Sequence, residues 1–314
     1  MKKTAMTALV STALLAAVPF PSIAQVDETI KSGTEINEIS QRTTLLIVAL
    51  NGDEQIAGHG SGSLIAREGD TCVGVTNEHV IRGQSRGLTY AVRTFDGEVH
   101  PVEAMRPFSQ ADLAIVTFEC EEDYEPITLA TYQLSPGQEV YLSGWPGGSA
   151  PGAPGTFVRQ FTSGSISTLL DRPVAGYEVG YTNVTRGGMS GGQVLDEAGR
   201  LIAIHGLGIT EDVSAIADRL NVSEDDAAAL AGKTGFNYGI PVSTFLAGGA
   251  QSGRMPSMDV VYSTPQNAGN GSTVAGADYD YEPDARDRVR TTDILDDLDR
   301  VLDVVGRVCG FIGC

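Results

Sequence analysis

The chain has 314 residues, 41% of them hydrophobic and 19% charged, with 38 Gly and 14 Pro. At ~100–200 residues per domain, that length allows about two packed units with a sizeable core. Forty acidic residues against 21 basic ones give a formal charge of −19. The charge excludes a broad electropositive footprint for nucleic acid, and the ordinary apolar content excludes disorder of the whole chain. The glycine count favours the turns and tight backbone approaches of an all-β protein.

The first residues predict a removable leader over 1–24. Lys2 and Lys3 make a positive start, and Ala5 to Val18 run almost entirely small and apolar, too short to span a bilayer comfortably. Pro19 and Pro21 break the run, and Ser22-Ile23-Ala24 offers small residues where a signal peptidase reads, so cleavage is expected after Ala24. Its loss takes the formal charge from −19 to −21. The expectation is a secreted or periplasmic protein with no membrane span in the mature chain, in a compartment where disulfides persist.

Residues 25–40 read as a polar lead-in. Short runs rich in Val, Ile, Leu, Thr or Tyr then follow at Thr44–Leu50, Gly60–Ala66, Cys72–Thr76, Leu88–Thr94 and Leu113–Glu119. A second set comprises Ile127–Ala130, Glu139–Ser143, Phe157–Leu170, Tyr177–Asn183, Gln193–Leu195, Leu201–Leu207 and Phe236–Ile240. Two sets of short strands at this spacing suggest paired antiparallel barrels or a sandwich. Val213–Leu230 has helical spacing, with a break at Asn221 and a fresh N-cap at Ser223. Residues 248–290, rich in Gly, Ser, Asn and Thr, read as a flexible linker. From residue 291 to 314 the period becomes helical again, with three aspartates near its start, where the helix dipole favours them.

Three segments could carry chemistry together: Thr76-Asn77-Glu78-His79-Val80 after a strand, Asp112-Leu113-Ala114 opening another, and Gly187-Gly188-Met189-Ser190-Gly191-Gly192. A hydroxyl is a weak nucleophile at neutral pH and needs a base within reach. That base needs a third group to fix its tautomer and stabilise its charged form. Glycines around the serine let two backbone N–H groups aim at a developing oxyanion.

Over residues 40–247 the sequence resembles the bacterial trypsin-like, chymotrypsin-fold serine endopeptidases. The likeness rests on Gly60-Ser61-Gly62-Ser63-Leu64-Ile65, the His79 and Asp112 segments, Gly188-Met189-Ser190-Gly191-Gly192 and Leu201-Ile202-Ala203-Ile204-His205-Gly206, in the family's order His, Asp, Ser. The resemblance implies two antiparallel six-stranded β-barrels, the first over 41–125 and the second over 126–247, with a small helical insertion and a C-terminal helix. It implies His79 as general base and acid, Asp112 as its orienter, Ser190 as nucleophile, and the Gly188 and Ser190 amides as the oxyanion hole. Proteins or peptides are the expected substrates, and no cofactor is expected. The chain departs from the family at Met189, where digestive enzymes place an aspartate that pairs with a freed N-terminus, and at Gln193, where proline is usual.

The residue five places before Ser190 is Thr185, and the one fifteen places after it is His205. This pair is similar to that of glutamyl endopeptidases, which implies substrate-binding roles and cleavage after Glu or Asp. Two donors on a buried carboxylate discriminate strongly, because losing one leaves a polar group unpaired. Four cysteines allow three pairings; the resemblance makes Cys72 and Cys120 strand neighbours and so favours their bridge, while Cys309 and Cys314 could close a small terminal loop. The four histidines form no HExxH pattern, so no metal is expected. Two other readings stay open: a protease-chaperone of the high-temperature-requirement type, and a catalytically silent protease-like scaffold. The C-terminal helix is expected to fold back on the barrels or to meet an unknown partner.

Overall fold

The computed structural model describes residues 28–120, 124–147, 155–208, 212–231, 237–251, 255–266, 286–298 and 300. The first helix among the described residues is α1 (Gly33–Thr43), where a polar lead-in was expected. A reciprocal capping box between Ser32 and Glu35 opens it. Its buried face is largely polar (Asn37, Ser40, Gln41 and Thr43 beside Ile36), so apolar periodicity gives little sign of it.

The first sheet takes β1 (Thr44–Leu50), β2 (Ile56–Glu68) and β3 (Thr71–Thr76), then the short helix α2 (Glu78–Ile81). β4 (Thr89–Arg93), β5 (Val99–Pro101), β6 (Ala104–Pro107) and β7 (Ala114–Glu119) complete it, in the order β5-β4-β1-β2-β3-β7-β6. It is a curled half-barrel of seven strands rather than a closed barrel of six. A disulfide joins Cys72 on β3 to Cys120, just beyond β7, as the resemblance implied; β3 and β7 are antiparallel neighbours, with Cys72 opposite Phe118. Cys309 and Cys314 lie outside the described residues.

The second sheet is built from β8 (Leu129–Ala130), β9 (Glu139–Gly144), β11 (Gln160–Val174), β12 (Tyr177–Tyr181), β13 (Gln193–Leu195), β14 (Leu201–Leu207) and β15 (Asn237–Pro241). The strand preceding β11 is β10 (Thr156–Val158). The ring β13-β9-β11-β12-β15-β14 closes through the β13–β14 pairing, giving the expected six-stranded barrel. The two sheets form a double β architecture of the chymotrypsin kind. Between β14 and β15 lies the predicted helical insertion, α3 (Val213–Leu220) and α4 (Glu224–Ala231). Asn221 takes φ 52° at the break, and the Ser223 hydroxyl accepts from the Asp226 N–H.

Described parts of the stretch read as a linker are built into the fold. α5 (Val242–Gln251) runs into it, and β16 (Val260–Val261) pairs with β8. Gln266 N–H donates to Glu28 O, and β17 (Arg288–Arg290) pairs with β10. Residues 291–298 are helical, and Val289, Ile294 and Leu298 share an apolar cluster with Leu46, Val48, Trp145 and Phe157 of the barrels. Composition misled here because Gly- and Ser-rich text says nothing of a neighbouring sheet edge that can accept a strand.

One buried cation ties these parts together. The Arg159 guanidinium has no exposed surface; it pairs with Asp287 at 2.5 Å and donates to Asn37 Oδ1 (2.7 Å), Ser40 Oγ (3.1 Å) and Ser143 Oγ (2.8 Å). It thereby joins α1, the second barrel and the C-terminal segment. No helix among the described residues is long and apolar enough to cross a membrane.

Candidate active site

His79 sits on α2, directly after β3. Thr76 Oγ1 donates to Ser61 O (2.7 Å), fixing the end of that strand, and Asn77 Nδ2 donates to Asp112 O (2.8 Å), drawing the second segment alongside. Asp112 N–H in turn donates to Ala175 O, in the turn leading to β12 of the other barrel. The Asp112 carboxylate is fully engaged. Oδ1 accepts from the His79 backbone N–H (2.9 Å), and Oδ2 accepts from both His79 Nδ1 (2.6 Å) and Tyr177 Oη (2.6 Å). Burial pushes its pKa up, but the His79 charge and the hydrogen bonds from His79 and Tyr177 outweigh this and hold it at about 2. The carboxylate therefore stays ionised while almost wholly buried, and Nδ1 is the protonated ring nitrogen that faces it.

Ser190 lies on a loop braced from several sides. Ser61 N–H donates to Ser190 O (2.7 Å), Ser61 Oγ to Gly188 O (3.0 Å), Gly147 N–H to Gly187 O (2.6 Å) and Gly191 N–H to His205 O (2.8 Å). Gly188 takes φ 94°, and a Cβ there would fall 2.2 Å from His59 Nε2 and 2.7 Å from Gly147 N, so only glycine fits. Among the described residues, no backbone carbonyl accepts from the Gly188 or Ser190 N–H, which leaves both donors available for an oxyanion. The Ser190 hydroxyl makes a long contact to Gly206 O (3.4 Å). His79, Ser190, Gly188, Thr185 and His205 all line one cleft of about 470 Å³.

Met189 is fully buried in an apolar cluster with Val140, Leu142 and Val194, so its side chain anchors the loop by packing rather than by an ion pair. Gln193 is buried and its Nε2 donates to Thr43 Oγ1 (2.8 Å), a bond that proline could not make.

The Thr185–His205 pair is more constrained than the sequence suggests. Thr185 Oγ1 donates to Asn237 Oδ1 (2.5 Å), and His205 Nδ1 lies 2.6 Å from Tyr181 Oη. Both groups wall the cleft, yet each is already bonded within the protein. His205 is also uncharged: burial, then the positive charges of His79 and Arg219, depress its pKa to about 3 against the backbone bond to Tyr238. What the sequence reading missed is Arg219. It sits on α3, lines the same cleft and is anchored where its carbonyl accepts from Arg82, which is itself paired with Glu78 of α2. Only its place on a helix inserted after the His205 strand could have flagged it.

His205 carries a stability prediction. A histidine at about 3 in the fold and 6.5 when unfolded binds its proton preferentially in the unfolded state. Stability therefore falls as pH drops from 6.5 toward 3, and no further loss from this group occurs below that. His205→Asn, which keeps a polar partner for Tyr181, is expected to remove about 3 kcal/mol of the difference between urea unfolding at pH 7 and at pH 4. An unchanged difference would contradict the buried neutral imidazole.

Residues 60–204 match the sequence profile of the trypsin-like peptidase domain. The matched span begins inside β2 and ends inside β14, so it holds His79, Asp112 and Ser190 and stops one residue short of His205. The insertion bearing Arg219, and Asn237 beside Thr185, lie outside the matched span. No curated protein matches the chain.

Proposed function

We propose that this protein is an exported serine endopeptidase that cleaves peptide bonds through an acyl-enzyme, after Glu or Asp. The observation that carries the hydrolase reading is that His79, hydrogen-bonded to Asp112, lines the same cleft as Ser190 and as two backbone N–H groups that no described carbonyl takes. In this reading the Ser190 hydroxyl leaves Gly206 O, gives its proton to His79 Nε2 and attacks the carbonyl carbon. The oxyanion forms against Gly188 and Ser190 N–H, and His79 returns the proton to the leaving amine. Water then repeats the sequence to release the acid. Export is supported by the leader pattern of residues 1–24 and by the Cys72–Cys120 bridge.

Preference for an acidic side chain is supported by charge as well as by the Thr185–His205 pair. Among the described residues, the cleft is lined by no carboxylate and its permanently charged residues are Arg186 and Arg219, although the whole chain carries −19. A cleft of one sign concentrates substrate of the other. With His205 neutral, the guanidinium groups supply the positive charge that a buried carboxylate requires.

A fluorophosphonate probe should label the wild-type protein and fail on Ser190→Ala; labelling that survives the substitution sinks the peptidase reading. Mass-spectrometric mapping of cut sites should show Glu, then Asp, before the cleaved bond. Arg219→Ala should lower the Glu-over-Gln ratio of kcat/KM by about 10- to 100-fold, the loss of one charge-assisted contact. Cuts after Arg, Lys or Phe would refute the acidic preference while leaving the hydrolase reading intact.

A further inference from the structure

The Asp112 carboxylate has a third protein donor that the His79–Asp112–Ser190 arrangement does not itself require. Tyr177 opens β12 in the second barrel, is fully buried, and donates from Oη to Asp112 Oδ2 at 2.6 Å. His79 reaches the same oxygen from α2, also at 2.6 Å. The carboxylate is thus gripped from two sides: α2 supplies the two His79 donors, and the second barrel supplies the phenol.

The neighbouring strand is shaped around that phenol. Gly206 on β14 has an ordinary backbone conformation, so nothing in its φ calls for glycine. A Cβ at that position would nevertheless lie 2.0 Å from Tyr177 Oη and 2.8 Å from ring atoms Cε1 and Cζ. Tyr177 therefore occupies the space where a side chain of residue 206 would stand, and the glycine is the complement of the tyrosine. The same Gly206 presents its carbonyl to the Ser190 hydroxyl, so the phenol sits immediately behind the strand that faces the nucleophile.

We infer that Tyr177 is a positioning residue of the hydrolytic site, its hydroxyl holding Asp112 in the orientation that fixes the His79 tautomer. This inference rests on the peptidase reading for its catalytic consequence, and on the hydrogen-bond geometry alone for its effect on His79. Two donors on Oδ2 share its negative charge, so the phenol tempers the basicity that the carboxylate confers on the imidazole while preventing the carboxylate from rotating. The Tyr177 bond also lowers the Asp112 pKa, in keeping with a donor to the ionised form.

Tyr177→Phe keeps the ring and deletes only the donor. It is expected to lower kcat about tenfold, with KM changed less than twofold. The acid limb of the kcat/KM profile should move to higher pH, because the carboxylate then gives its charge to His79 alone. A hydroxyl transplant separates positioning from packing. Tyr177→Leu with Gly206→Ser places a hydroxyl in the vacated space and should recover most of the activity lost in Tyr177→Leu. Tyr177→Leu with Gly206→Ala should not. Equal recovery by Ser and Ala, or a wild-type kcat and pH profile in Tyr177→Phe, overturns the inference. The His79 Nδ1 proton, followed by NMR through its titration, reads the phenol's effect without turnover. A protein that cleaves nothing yet shifts this titration in Tyr177→Phe refutes the peptidase reading and retains the positioning one, whereas an unshifted titration refutes the latter.

Discussion

Asp112→Asn is expected to lower kcat for peptide hydrolysis by about 10⁴-fold at neutral pH, with the fold retained. Asp112 Oδ1 accepts the His79 backbone N–H, while Oδ2 accepts the His79 ring and the Tyr177 phenol. An asparagine has one oxygen for these three donors. If that oxygen keeps the backbone N–H, the amide nitrogen faces His79 Nδ1 and donates to it, which puts the ring proton on Nε2 and blocks that nitrogen as a base. Steady-state kinetics measure the loss, and a variant within tenfold of wild type would remove Asp112 from the mechanism. The same variant has a second signature. With Asp112 at about 2 in the fold and 3.8 as the ordinary value, its contribution to stability is fully present above the ordinary value. That contribution is lost as pH falls through about 2, an effect on the order of 2 kcal/mol that the asparagine variant lacks.

Asp287→Ala is expected to destabilise the protein by about 3–5 kcal/mol, because it strands the Arg159 guanidinium where no water reaches it. The loss should appear as a lower urea midpoint. The paired change Arg159→Met with Asp287→Leu removes both charges and should cost far less, since apolar groups of similar volume can replace a buried ion pair. If the single and the paired changes cost the same, the penalty comes from packing rather than from an uncompensated charge. Asn37, Ser40 and Ser143 lose a common donor in the paired variant, so a residual loss on the order of 1 kcal/mol per hydrogen bond is expected.

The double β architecture was legible because its signals are local: alternating or wholly apolar runs between turn residues, and a glycine-rich segment around Ser190. His79, Asp112 and Ser190 could be singled out because each lies beside a strand or a glycine turn. Asp112–Tyr177 was not legible. The two residues lie 65 positions apart, Asp112 in the bend before β7 and Tyr177 on β12, and nothing local distinguishes Tyr177 from any strand tyrosine. Its partner Gly206 was read only as part of a strand. Thr185 and His205 both line the cleft, but Asn237 and Tyr181, which already engage them, depend on strand register and could not be inferred. α1 escaped notice because its buried face serves Arg159 with amide and hydroxyl groups; its capping box was the available clue. The parts of 248–290 that join the sheets escaped notice because two- and three-residue strands carry almost no periodicity.

The partners of Arg159 lie far apart in sequence, with Asn37 and Ser40 on α1 and Asp287 just before β17. A ribosome makes the arginine long before it makes the aspartate, so a nascent polypeptide holding every residue of the proposed hydrolytic centre still lacks the counter-charge of that buried cation. Neutralisation of that cation therefore waits for a residue translated 128 positions after it.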